Sequence, residues 1–194
     1  MELTTKQKEG LEIAVRRYKE HKPYTCVAGY AGTGKSTLIS FIIDALGVDK
    51  ANEVCYIAFT GKAATVLRSK GCANATTAHR LLYIARPKED GNGFIFIKRP
   101  KMDFAHLKVI VVDEVSMLPK EMWELLLSRG VYVLATGDPG QLPPIDPETD
   151  NHVLDNPHIF LDEIMRQAQD SEIIRLSMWV REGKPLAKFP CKNE

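Results

Sequence analysis

The stretch "GYAGTGKS" over residues 29–36 has the spacing G-x4-G-K-S, which is suited to holding phosphate. Gly29, Gly32 and Gly34 let the backbone curl. The amides of the loop and of the turn after it (Ala31, Thr33, Lys35, Ser36 and Thr37) can then converge on one set of anionic oxygens. "YTCVAG" before the loop reads as a buried strand, and "KSTLISFIIDAL" after it as a helix closed by Gly47. The helix N-terminus would then add its partial positive charge under the same anion. In this register Lys35 reaches the outer phosphates of ATP and the Ser36 hydroxyl binds Mg²⁺. A chance glycine-rich turn would not be expected to fall between a strand and a helix.

A second constellation is "VIVVDE", an apolar run ending in Asp113 and Glu114. In a parallel sheet the carboxyl ends of strands open on the crevice where ligands sit. Asp113 beside the phosphate loop suits Mg²⁺, directly or through water. Glu114 suits a base that orients or deprotonates a water attacking the γ-phosphate. Two adjacent carboxylates fit hydrolysis better than transfer to a bound acceptor. Taken alone, the pair would read equally well as an ordinary charged strand end.

The elements that must position these groups follow from the pattern of apolar runs. "EVCYIAF", "LKVIVVDE" and "VYVLATGD" are strands without alternation, each close to a helical segment, as expected for a parallel sheet covered on both faces. Thr4 or Thr5 should cap a first helix, and Asp170 or Ser171 a last one that Gly183 and Pro185 stop. One region breaks the alternation. Residues 84–106 contain a turn signal at Gly91-Asn92-Gly93 and then "FIFIK", which predicts a small β-hairpin insertion. Phe94 and Phe96 share one face of that hairpin, where they could pack it onto the domain.

Bulk properties narrow the class. The chain has 194 residues, enough for one sizeable domain, and 44% of them are hydrophobic. A net charge of +1 announces no basic field, although single strands are also held by stacking and backbone contacts. Cys26, Cys55, Cys72 and Cys191 lack metal or redox spacing, which fits a reducing cytoplasm. No apolar run has membrane-spanning length, and a monomer is expected.

Beyond these two motifs, the chain resembles a superfamily-one helicase motor of the RecD/Dda-like type, in family order across nearly its whole length. "TTKQKEGL" resembles the motif whose glutamine reads adenine, here Gln7. "AFTGKAA" resembles the first single-strand-binding motif and "TTAHRLL" the second. "VVDEVSM" resembles the family's Walker B segment and "GDPGQLPPI" its third motif. "EIMRQ" resembles the start of the fourth, with Arg166 as the γ-phosphate arginine.

The resemblance implies an α/β fold of the P-loop NTPase class: a RecA-like three-layer sandwich with a mostly parallel sheet and the small hairpin. It further implies one such domain over 1–194, ATP and Mg²⁺ as cofactors, and single-stranded DNA as partner, with 5′→3′ movement. RNA remains an alternative track. For Phe94 and Phe96 the resemblance implies stacking on a base pair as the other use.

The residues matched to the strand-binding motifs make chemical sense. Thr60, Gly61, Lys62, Thr77 and His79 are phosphate- and sugar-positioning groups without base specificity. In the third motif, Gln141 both donates and accepts, so it suits the γ-phosphate or the attacking water. Asp138 suits support of the loop or of a metal-bound water, and Pro143 and Pro144 stiffen the path onward. The later helicase motifs have no counterpart before Glu194. The expectation is therefore a portion lacking its second RecA-like domain, weak in hydrolysis by itself. A P-loop kinase, or a non-catalytic ATP-dependent DNA-binding switch, is the alternative from the same residues.

Overall fold

In the computed structural model, which describes residues 2–89, 91–141, 147–164, 171–186 and 189–190, the apolar runs form strands and the amphipathic segments helices. In chain order these are α1 (Thr5–Lys19), β1 (Tyr24–Gly29), α2 (Lys35–Leu46), β2 (Val54–Ala58), α3 (Gly61–Ser69), β3 (Ala75–Thr77) and α4 (Ala78–Leu82). The hairpin strands β4 (Tyr83–Pro87) and β5 (Phe94–Lys98) follow. Then come β6 (Val109–Val112), α5 (Lys120–Leu127), β7 (Tyr132–Gly137), β8 (Ile159–Leu161) and α6 (Glu172–Arg181).

Six strands make one sheet in the order β3-β2-β6-β7-β1-β8. Every pairing described within it is parallel. All their carboxyl ends therefore emerge on one edge.

Each strand feeds both faces because neighbouring residues point in opposite directions. Val27 packs with Leu38, Ile42, Ile43, Val109 and Leu134 under α1 and α2. Cys26, next to Val27, packs with Ile57, Leu82, Trp123 and Leu126 on the side of α4 and α5. The result is the three-layer sandwich expected. Helix α1 lies tight on the sheet at Gly10, where a Cβ would come 2.8 Å from Ile159 Cγ2.

Capping agrees with the sequence at one end and departs from it at the other. Thr4 closes a full capping box with Gln7 at the start of α1. Ser171 occupies the N-cap position of α6, but its side chain makes no cap hydrogen bond, and Asp170 lies outside the described residues. Gly47 closes α2 in the left-handed conformation, as the spacing predicts.

The hairpin pairs Tyr83 with Lys98 through Pro87 with Phe94. Its turn uses positive φ at Gly91 and Gly93. The chain after it returns to the core, because Phe104 at the end of a 3-10 turn is buried.

One polar contact gives the fold a pH dependence. The Cys26 amide donates to Nδ1 of His158 at 3.0 Å, which requires a neutral imidazole. Burial, with Arg17 nearby, holds the His158 pKa below its ordinary 6.5. The unfolded chain takes up this proton first. The contribution is therefore whole above pH 6.5 and is lost as pH falls through the lower folded value. Urea titrations from pH 8 to 5 should show stability falling more steeply for the parent than for His158→Gln. Parallel curves would contradict this.

Candidate functional site

The phosphate loop is shaped from both sides. Gly32 and Gly34 take positive φ, 78° and 83°, and Gly34 opens α2. A Cβ on Gly29 would lie 2.6 Å from the Leu161 carbonyl and 2.8 Å from Thr33 Oγ1, so the passing backbone of β8 demands glycine there. Thr33 is buried, and its hydroxyl donates to the Tyr30 carbonyl at 2.8 Å. Lys35 Nζ lies inside the curl and donates to the carbonyls of Gly29 (2.6 Å) and Tyr30 (3.1 Å). Burial lowers its pKa, while the carboxylates of Asp138, Glu114 and Asp113 pull the other way. Ala31 and Ser36 are exposed at the mouth, and Thr37 is half-buried behind them.

Gln7 is not a solvated helix glutamine. It is 1% exposed, accepts from the Thr4 amide at 3.1 Å and donates to the Thr33 carbonyl at 3.3 Å. It ties α1 to the phosphate loop from beneath.

The acidic pair ends β6, two strands from β1. Thr136 on β7 donates to Asp113 Oδ1 at 3.1 Å, which orients the carboxylate. Asp113 and Ser36 line one cleft together with Thr136. Glu114 sits at φ 52°, ψ 62°, a left-handed conformation that costs a non-glycine residue about 1–2 kcal/mol. Its Oε2 is buried and has no hydrogen-bond partner among the described residues, although Gln141 bonds the carboxyl. Burial raises the Glu114 pKa above the ordinary 4.5. The neighbouring Asp113 adds to this, and Gln141 and Lys35 oppose it. A strained carboxylate with an unused acceptor beside a phosphate loop has the chemistry of a base waiting for a water.

Beyond β7 the third loop folds around Asp138, which is 3% exposed. Its Oδ1 accepts from the Gly140 amide at 2.8 Å, and its carbonyl from the Gln141 amide at 3.1 Å. Its Oδ2 accepts from Arg181 Nη2 on α6 at 2.8 Å. One carboxylate oxygen thus holds the loop and the other holds α6. Arg181 also lies over the Tyr30 ring, 4.6 Å from its centroid. Pro143, Pro144 and Arg166 fall outside the described residues.

Farther along the same edge, Ala58 of β2 pairs with Thr77 of β3, so the two strand-binding motifs are neighbours. Thr60 caps α3 by accepting from the Ala63 amide at 3.2 Å, and Thr77 caps α4 by accepting from the Arg80 amide at 3.2 Å. Thr60, Gly61, Lys62 and His79 are exposed and Thr77 is half-buried. The His79 ring stands between Phe59 and Tyr83, with centroids 6.0 and 6.1 Å away. Phe94 and Phe96 are 59% and 61% exposed. They do not pack the hairpin onto the domain, which removes that alternative.

Sequence reasoning missed Thr136, Tyr30 and Arg181. Thr136 follows Ala135, the partner of Val112, so pairing β6 with β7 in register would have found it. Tyr30 lay in plain view inside the loop motif but carries no signal of its own. Arg181 gives none either, since an arginine ending a helix usually lies in solvent.

Known proteins resemble the chain as follows. The family described as AAA domain matches residues 2–192. The ATP-dependent DNA helicase dda of Enterobacteria phage T4 is 32% identical over 149 residues, covering 75% of this chain and 34% of that protein. The ATP-dependent RecD2 DNA helicase of Deinococcus radiodurans is 34% identical over 163 residues, covering 81% of this chain and 22% of that protein. The chain thus spans about a third or less of the length of these relatives. In structure, Pif1 helicase from Candida albicans covers 96% of the chain with 46% of its own, at TM-score 0.60 and 22% identity. A Pif1 helicase from work on unwinding at forked dsDNA covers 96% with 50% of its own, at TM-score 0.63 and 20% identity. These last two likenesses bear on the fold alone.

Glu114 combines a left-handed backbone with a carboxyl whose pKa burial raises. At neutral pH a carboxylate with a raised pKa opposes folding, so Glu114→Gln should melt at a higher temperature than the parent at pH 7.5. The gap should shrink as pH falls toward 4.5 and the parent carboxyl protonates. Calorimetry at both ends of that range measures it. A lower melting temperature for the variant at pH 7.5 would contradict the electrostatic account.

Proposed function

The chain belongs to the AAA domain family, in the RecD/Dda-like branch of superfamily-one helicases, and from that premise we propose that it is the ATP-hydrolysing motor domain of a DNA helicase. The observation that carries this reading is the unpartnered Oε2 of Glu114, buried beside Gln141 and within the electrostatic reach of Lys35. A phosphate loop alone would serve a kinase or a switch. A poised base at its third-phosphate end serves hydrolysis.

In this reading the triphosphate lies along the loop amides of residues 29–37, and Lys35 exchanges its carbonyl partners for phosphate oxygens. Gln7 acts on the nucleotide through Thr33. Ser36 and Asp113 fit Mg²⁺, since a hydroxyl and an oriented carboxylate line one cleft. Among the described residues no group of three His, Cys, Asp or Glu could hold a metal. The remaining ligands would therefore be phosphate oxygens and water, the usual preference of this ion. When bound, Mg²⁺ neutralises charge on the outer phosphates. Ionised Glu114 accepts the proton of the attacking water, and Gln141 holds that carboxylate and reports on the γ-phosphate. Arg166, with an arginine from a second RecA-like domain, would supply charge in the transition state.

Single-stranded DNA is the proposed track, moved over 5′→3′, with Thr60, Gly61, Lys62, Thr77 and His79 meeting its backbone. Support comes from their exposure and from the neighbouring ends of β2 and β3. Phe94 and Phe96 on the exposed hairpin would stack on the duplex at the point of separation. A motor must grip any sequence, and these groups carry no base-reading pattern.

In a protein that also carries the second RecA-like domain, ATP hydrolysis should rise when oligo-dT is added, and Lys35→Ala should abolish it. Glu114→Gln should cut kcat by about 10²–10⁴ while keeping nucleotide affinity. Lys62→Ala should lower the slope of log affinity against log salt by about 0.7, the value for one phosphate contact on a single strand. Normal turnover in Glu114→Gln, or a phosphorylated small-molecule product, would overturn the proposal.

A further inference from the structure

Arg181 lies 43 residues from Asp138 in sequence, yet the two form the most buried ion pair among the described residues, with side chains 23% and 4% exposed. The guanidinium makes three contacts at once. Nη2 donates to Asp138 Oδ2 at 2.8 Å, the planar group covers the Tyr30 ring at 4.6 Å, and its flank lies against the backbone at Gly140. A Cβ at Gly140 would come 2.7 Å from Arg181 Nε and 3.0 Å from Cζ. Tyr30 is itself held edge-on by Phe160 of β8, with centroids 5.5 Å apart.

One side chain therefore bridges the phosphate loop, through Tyr30, and the third loop, through Asp138. The third loop carries Gln141, whose amide hydrogen returns to the Asp138 carbonyl at 3.1 Å. Gln141 in turn bonds Glu114. The chain of contacts from α6 to the hydrolytic carboxylate is continuous, and each step is a hydrogen bond or a stacked ring.

We infer that Arg181 is a positioning residue for hydrolysis, which clamps the phosphate loop to the third loop and so holds Gln141 at Glu114. The inference rests on the hydrolytic reading of the site. Arginine suits the task because its flat, permanently charged group can stack and donate together, which lysine cannot. Its action falls on the chemical step. The Arg181 guanidinium is already committed to Tyr30 and Asp138, so its loss leaves nucleotide affinity largely intact and loosens the geometry at the attacked phosphate.

The test is steady-state ATP hydrolysis by the protein with oligo-dT, comparing Arg181→Ala, Arg181→Lys, Gly140→Ala and Arg175→Ala. Arg175 is the control. It lies on the same helix, stacks on Phe189 and donates to the Pro190 carbonyl, and among the described residues it has no hydrogen bond to either loop. Loose placement of a catalytic group costs about 10²-fold, so Arg181→Ala should lower kcat by about that factor with KM nearly unchanged. Arg181→Lys should recover only part of the loss. Gly140→Ala should reproduce the defect with little change in melting temperature, because its new methyl displaces the flexible guanidinium.

Arg175→Ala should keep the parent's kcat. Arg181→Ala combined with Gln141→Ala should fall no further than the worse single variant, since both act through one loop. The inference is overturned by a parent-like kcat in Arg181→Ala, by an equal kcat loss in Arg175→Ala, or by additive losses in the double variant. A parent that does not hydrolyse ATP at all overturns the hydrolytic reading itself, and the inference falls with it.

Discussion

A sheet whose strands all run the same way has all its carboxyl ends on one side, and the chemistry of this protein depends on that constraint. The loop after β1 holds the phosphate motif, β6 delivers the acidic pair, β7 delivers the third loop, and β2 and β3 deliver the helix-capping threonines Thr60 and Thr77. None of these segments is close to another in sequence. The order β3-β2-β6-β7-β1-β8 puts the candidate hydrolytic groups around β6, β7 and β1 and the strand-binding candidates next to them. A nucleotide and a nucleic acid would thus rest on a single rigid edge, where movement of one loop is felt by the next.

Electrostatics make that edge responsive. Three carboxylates surround Lys35 in a partly buried space, and Asp138 is neutralised by Arg181. Asp113 is oriented by Thr136, while Glu114 alone keeps a buried oxygen without a partner. The carboxylates are therefore sorted by their surroundings into a loop anchor, a candidate metal ligand and a candidate base. Different partners and burial are how a site assigns different roles to one side-chain type.

What could be read from the sequence was what local backbone chemistry dictates. The phosphate loop declared itself because its glycines, lysine and serine must fall in one short register. The acidic pair declared itself because it ends an apolar run. Gln7 was legible as a motif position, but not its contacts: it caps α1 and donates to the Thr33 carbonyl. Arg181 was illegible because its meaning comes from a contact across 43 residues, set by how α6 packs. The exposure of Phe94 and Phe96 was likewise undecidable, because an alternating hairpin looks the same packed or free.

The central claim is that nucleotide and single-stranded DNA are bound on one edge and feel each other. Equilibrium affinity for a fluorescent oligo-dT, with and without a saturating non-hydrolysable ATP analogue and Mg²⁺, tests it most directly. Linkage requires that whatever factor the analogue imposes on the oligonucleotide, the oligonucleotide imposes on the analogue. The account predicts a reciprocal change of about 5-fold or more, the lower end of ordinary coupling. Affinities that are each measurable yet independent of the other ligand would contradict it.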